Sequence, residues 1–224
     1  LTKLTSLLLP YNKISDISAL AGLTNLTWLI LGNNQISDIS VIAELKKLHE
    51  LDLDDNQISD ISVIAELKNL TMLGCQNNKI SNISMLAGLK NLTTLHLTGN
   101  QISDISALSG LNNLTSLNFS NNQISDISVL TNLTNLTDLT LAGNQISNIS
   151  VLAGLTNLTS LYLWGNQISD IKPLVDNAGI NNGDTVYLYD SFYKNTNPLS
   201  TTSCTVYIPQ LKSRGVNVYH NCPQ

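Results

Sequence analysis

The chain has 224 residues, with 11 Lys+Arg against 16 Asp+Glu, a formal charge of −5, and only 12% charged and 5% aromatic residues. Leucine occurs 40 times and asparagine 29 times, so a packed interior has to be filled by aliphatic side chains laid down in a regular pattern. Arg214 is the only arginine, which argues against a phosphate-tracking basic face and hence against nucleic acid. Apolar runs such as Leu7–Leu9 fall far short of the roughly 20 residues that cross a bilayer.

Taken in chain order, the pattern is already under way at the first residue. Leu1-Thr2-Lys3-Leu4 matches Leu23-Thr24-Asn25-Leu26, with no polar cap of the kind that terminal repeats need. The apolar flank of Leu1, Leu4 and Leu7 is therefore expected to face water. That is the expectation for a fragment, for a chain covered by a partner, or for one that stacks on another copy. Asparagine then recurs at Asn12, Asn34, Asn56, Asn78, Asn100, Asn122, Asn144 and Asn166, a spacing of 22 without slippage. Isoleucine follows two positions later, from Ile14 to Ile168, and again three further on, from Ile17 to Ile171.

One unit runs from Leu26 through Trp28-Leu29-Ile30-Leu31 to Asn34 and Ile36, then Ser37-Asp38-Ile39-Ser40 to Leu45. Leu29-Ile30-Leu31 alternates as a short strand does, leucines inward and the residue between them outward. A unit this short cannot bury its own apolar side, so units must stack, with all strands running the same way. The repeated asparagine stands where the chain leaves the strand, and its amide is expected to satisfy backbone groups left unpaired there. The Ser-Asp/Asn-Ile-Ser stretch suits the start of a helical turn on the outer side, and Pro173 suits the first position of such a turn.

On these residues the chain resembles leucine-rich repeat proteins of the 22-residue bacterial type found in the internalins. The resemblance covers residues 1–180 in eight units, with a C-terminal cap over 181–224. It implies an α/β solenoid, or horseshoe, with a concave parallel β-sheet and short helical turns on the convex side. It also implies surface attachment and partner binding by the concave face. The chain departs from the internalins in lacking a helical N-terminal cap and an immunoglobulin-like domain after the repeats, so a host-adhesion role is not carried over.

Beyond Asn177, Asp184-Thr185-Val186-Tyr187-Leu188-Tyr189-Asp190 keeps the strand alternation as a ninth, degenerate rung. Asn197-Pro198-Leu199 leads to an expected helix over 201–213 and a final strand in Arg214-Gly215-Val216-Asn217-Val218. This tail resembles the closing segment of many bacterial and archaeal leucine-rich repeat proteins. Relative to that pattern Ser191–Thr196 is an insertion, whose Phe192 and Tyr193 either serve function or fold down to shield the last repeat. Of the three cysteines, Cys75 takes an inward strand position and reads as a small buried hydrophobe. Cys204 opens the terminal helix and Cys222 follows the return strand, which predicts a disulfide, a contribution of roughly 3 kcal/mol and an oxidising compartment. The alternative is a metal site from Cys204, His220 and Cys222, which lacks a fourth ligand.

No enzyme constellation and no cofactor site emerges. His49, His96 and His220 are scattered, and Gly99-Asn100-Gln101 and Gly143-Asn144-Gln145 belong to the repeat turn rather than to a phosphate loop. Glycosylation sequons such as those at Asn25, Asn91 and Asn157 are spelled by the template, and their crowding favours a prokaryotic source. The informative positions are the outward strand residues, where the repeat stops repeating. Leu8, Pro10, Tyr11, Trp28 and Ile30 form an apolar patch. Glu50, Asp52, Asp54 and Asp55 form an acidic one, either a solvated, partner-steering face or a calcium site. Tyr162, Trp164, Tyr187 and Tyr189 form an aromatic cluster beside Phe192 and Tyr193, either a binding surface or packing against the cap.

The expected partner-binding set is Trp28, Ile30, Glu50, Asp52, Asp54, Met72, His96, Tyr162, Trp164, Tyr187, Tyr189, Phe192 and Tyr193. The expected function is a non-enzymatic, secreted or cell-surface module of a prokaryote that binds a protein or peptide. Its alternatives are a surface protein self-assembling end to end, through the uncapped front, and a sensor or scaffold domain of a larger protein.

Overall fold

A computed structural model describes residues 2–189 and 196–223. The chain divides into two compact units, Leu1–Leu114 and Thr115–Gln224. The first holds β1 (Ser6–Leu8), β2 (Trp28–Ile30), β3 (Glu50–Asp52), β4 (Met72–Gly74) and β5 (Thr94–His96). The second holds β6 (Ser116–Asn118), β7 (Asp138–Thr140), β8 (Ser160–Tyr162), β9 (Thr185–Tyr187) and β10 (Asn217–Tyr219). Within each unit neighbouring strands are parallel and follow chain order, offset by one 22-residue repeat up to β8: Trp28 lies beside Glu50, and Asp138 beside Ser160. The last two steps are longer, with Ser160 beside Thr185 and Thr185 beside Asn217.

The expected alternation holds. Leu29, Leu51, Leu73 and Leu95 are buried in the first unit, as are Leu117, Leu139, Leu161 and Val186 in the second. Cys75 is a buried, unpaired thiol, pushed up by burial and by the nearby Asp54 and Asp52 carboxylates. Each fully buried leucine contributes about 1.5–3 kcal/mol of burial free energy, which only stacking makes available. At the front Leu4, Leu7, Leu9 and Ile14 are only half-buried, whereas Leu26, Leu29, Leu31 and Ile36 one repeat later are sealed.

The recurring asparagines act as an internal ladder. The Asn56 amide donates to the carbonyls of Leu31 and Leu53, both at 3.1 Å, and its oxygen accepts the Ile36 N–H at 2.9 Å. Asn144 repeats this in the second unit with Phe119, Leu141 and Ile124. Just before each ladder asparagine the backbone enters the left-handed region, at Asn33, Asp55, Asn77 and Gly99 and again at Asn121, Gly143 and Gly165. Glycine and asparagine tolerate that conformation best, hence the Gly-Asn and Asn-Asn pairs. Tyr11 adopts it too, at φ 57°.

On the outer side each repeat turns through a short 3₁₀ helix, for example Ser40–Glu44 and Ser128–Asn132. The residue two places earlier accepts the first N–H of that turn: Asp38 from Ser40 at 2.8 Å, Asn82 from Ser84 at 2.9 Å, and Asp126 from Ser128 at 2.8 Å. The last such turn is an α-helix, α1 (Lys172–Asp176). Pro173 is its second residue rather than its first, because Lys172 brings the N–H that Asp170 accepts at 2.8 Å. Proline needs no partner there, since that N–H would be unsatisfied within the helix anyway.

The tail forms a helix over 201–213, wound as a π-helix in Ser203–Tyr207 and closing as α2 (Ile208–Ser213). The final strand, β10, starts later than expected, at Asn217, because Val216 N–H is still turned back to the Leu211 carbonyl. It adds to the sheet parallel to β9, in register Val218 to Val186. Cys204 and Cys222 are joined in a disulfide with Cα atoms 5.6 Å apart. That bond withdraws both thiolates from the alternative metal reading with His220.

Candidate functional site

On the open face of the first unit, registered strands line up three columns of outward side chains. The first runs Ser6, Trp28, Glu50, Met72, Thr94 and the second Leu8, Ile30, Asp52, Gly74, His96. Pro10, Gly32, Asp54, Gln76 and Thr98 follow where the strands end. Trp28, Leu8 and Tyr11 are strongly exposed, at 44%, 54% and 81%. Of the apolar patch read from the sequence, register sets Leu8 beside Ile30, while Trp28 lies beside Ser6.

The acidic residues at the end of β3 and just beyond it are each tied to a neighbouring amide. Asp54 accepts the Gln76 N–H at 2.7 Å and the Gln76 amide at 2.6 Å. Asp55 accepts the Asn77 amide at 2.9 Å. Asp52 accepts the Asp54 N–H at 2.9 Å. The Asp52 and Asp54 carboxylates both reach over Gly74, where the missing side chain leaves them room. Among the described residues no three His, Cys, Asp or Glu side chains gather as metal ligands would. Burial raises the Asp52 carboxyl above its ordinary value, despite the Asp54 N–H that lowers it, and Asp54 and Asp55 add repulsion. Burial also lowers the half-buried His96 imidazole, with Asp54 pulling the other way.

On the second unit the middle column reads Asn118, Thr140, Tyr162, Tyr187 and Tyr219. Tyr162 and Tyr187 stack with ring centroids 4.5 Å apart and planes 8° from parallel; Tyr187 and Tyr219 follow at 4.4 Å and 6°. Strands set side by side at about 4.8 Å force in-register rings into this face-to-face column. Desolvation, then the flanking phenols of Tyr162 and Tyr219, raises the Tyr187 hydroxyl above its usual value. Trp164 and Tyr189 flank the column, both half-buried. Phe192 and Tyr193 lie outside the described residues.

Two members of this arrangement were missed by reading the sequence. Tyr219 completes the stack, and the signal was present: Asn217-Val218-Tyr219 repeats the outward-inward-outward order of Thr185-Val186-Tyr187. Asn197 is a further ladder asparagine, its amide donating to Leu163 and Leu188 carbonyls at 2.9 and 3.1 Å, its oxygen accepting Ile168 N–H. An antiparallel bridge between Tyr189 and Thr196 closes the insertion and returns Asn197 to the ladder. Within the second unit a depression of about 520 Å³ lies among outer-turn residues, but Asp126 and Asn148 there already accept the Ser128 and Ser150 N–H groups.

The family model for leucine-rich repeats, in two-copy units, matches residues 24–66, 68–110, 112–154 and 134–176. An internalin C2 of Listeria monocytogenes is 39% identical, the match covering 78% of this chain and 77% of that one, with a TM-score of 0.74. The internalin inlF of the same organism is 34% identical over all of this chain, with a TM-score of 0.88. The chain spans 62% of that protein's length. The plant peptide hormone receptor RGFR1, solved in complex with RGF2, is 26% identical over 88% of this chain and 32% of its own, with a TM-score of 0.73. No curated protein sequence matches significantly. Repeat period, asparagine ladder, parallel strands and these matches agree: the chain belongs to the leucine-rich repeat family and is internalin-like.

Proposed function

We propose that the chain is a non-enzymatic recognition module, extracellular or surface-displayed, that binds a protein or peptide on the open face of its sheet. The observation that carries this reading is the contrast between ladder and face. The buried positions stay apolar and the ladder asparagine recurs in every repeat, while the outward columns change in kind from rung to rung. In the second unit they include Tyr162, Tyr187, Tyr219, Trp164 and Tyr189, none of them fully buried. Tyrosine and tryptophan bring large rigid area and a polar handle, which is why they dominate binding hot spots. Trp28, Ile30, Glu50, Asp52, Asp54, Met72 and His96 form the corresponding surface of the first unit. The Cys204–Cys222 disulfide supports an oxidising compartment. The peptide-bound plant receptor supports a peptide or protein as the ligand class.

The test is to select peptides from a random displayed library on the wild-type protein, then measure their affinity for Trp164→Glu, Tyr187→Glu and an outer-turn control, Ser150→Glu. Losses of about tenfold or more at the first two alone support the aromatic site, as expected for a hot-spot residue. Equal affinity across all three removes it.

A further inference from the structure

β10 ends the strand order and is paired on one side only, with β9. Asn217 N–H reaches the Asp184 carbonyl and Leu188 N–H reaches the Tyr219 carbonyl, both at 2.9 Å. Successive strand residues direct their backbone groups to opposite edges. The N–H and C=O of Val218 therefore face away from β9, and among the described residues no strand pairs with that edge. Beside it runs a groove of about 410 Å³ lined by Lys212, Gly215, Val216, Asn217, Val218 and Tyr219. A groove floored by unpaired strand backbone accepts an extended chain.

Charge and ring chemistry narrow the occupant. Residues 196–223 contain Lys212 and Arg214 and no Asp or Glu, within a chain of net charge −5. Lys212 is exposed, lies 2.9 Å from His220 Nε2, and makes no salt bridge among the described residues. Tyr219 is stacked on Tyr187 on one side, is half exposed, and lines the groove. Its free side is where the next ring of the column would sit. We propose that the β10 edge is a docking site for an extended acidic peptide segment, which adds to the sheet as a further strand, sets a carboxylate against Lys212 and lays an apolar or aromatic side chain on Tyr219. The site shares Tyr219 with the aromatic surface proposed above, but Lys212 and the β10 backbone belong to the edge alone and tell the two apart.

The probe is a fluorescein-labelled, C-amidated peptide of alternating threonine and valine with a central tyrosine flanked by glutamates. Two companions carry glutamine for glutamate, or N-methyl groups on alternate backbone nitrogens. Anisotropy follows binding, and amide exchange by NMR follows Val218. The expected result is binding that slows Val218 exchange. Backbone methylation, glutamine replacement and Lys212→Glu should each weaken it about tenfold, the scale of a lost charge-assisted or backbone hydrogen bond. No binding at millimolar peptide overturns the proposal, as does unchanged Val218 exchange or equal affinity of the methylated peptide, an arm that needs no protein variant. A matching loss in Trp164→Glu assigns the peptide to the open face and also overturns the edge site.

Discussion

At Asp16, Asp38, Asp104 and Asp126 one carboxylate does the same small task. Each is held below its ordinary value, first by the N–H and then by the hydroxyl of the serine two residues on. A folded-state pKa below the unfolded one contributes stability above the ordinary carboxylate range, and that stability is lost as pH falls through the lowered values. Asp52 is shifted upward and works in the opposite sense, its contribution lost as pH rises. Among the carboxylates, four against one predict a net loss of stability below about pH 4. Asn82 and Asn148 accept the same bond without charge. Replacing the four aspartates by asparagine should therefore keep the fold and flatten the decline of the urea midpoint between pH 5 and pH 3. An unchanged decline would place the acid sensitivity elsewhere.

Among the elements, the terminal helix and β10 depend most on a covalent tie. Strands of three residues are held by their neighbours, and β10 has a neighbour on one side only. The disulfide closes a sequence separation of 18, for which chain entropy gives about 3 kcal/mol. Cys222→Ser is expected to lower unfolding free energy by about that amount, measured by urea denaturation. The amides of β10 should gain exchange before those of β8, because β10 is then held only by its pairing with β9, the buried Val218 and the stack of Tyr219 on Tyr187. Uniform acceleration across both strands would mean that the disulfide acts on the whole unit instead.

For the whole molecule, charge is the property that the repeat leaves unevenly spread. The chain is acidic, with a pI near 4.9, yet residues 196–224 carry Lys212 and Arg214 and no Asp or Glu. Solubility is expected to pass through a minimum close to pH 4.9, where net charge vanishes and molecules no longer repel one another. Turbidity across pH 3 to 8 checks this, and added salt should weaken the repulsion on either side of the minimum. A minimum displaced by more than about one pH unit, the usual spread of protein carboxyl values, would show that shifted carboxylates dominate the titration.

Period, strand alternation, buried leucines and the Cys204–Cys222 pair could all be read from residue spacing, because a 22-residue repeat imposes its geometry on each copy through contacts with the next. The columns of the open face could be written down for the same reason. Tyr219 and Asn197 could not be placed that way, because an insertion and a helix separate them from their partners, and spacing carries no information across a loop of changed length. Nor does spacing tell which outward groups bind their neighbours. Gln76 takes up Asp54, and Asn77 takes up Asp55, so a row of carboxylates becomes a set of hydrogen-bonded pairs. The local code settles which side of the strand a residue faces; what it meets there depends on the side chain stacked one rung away.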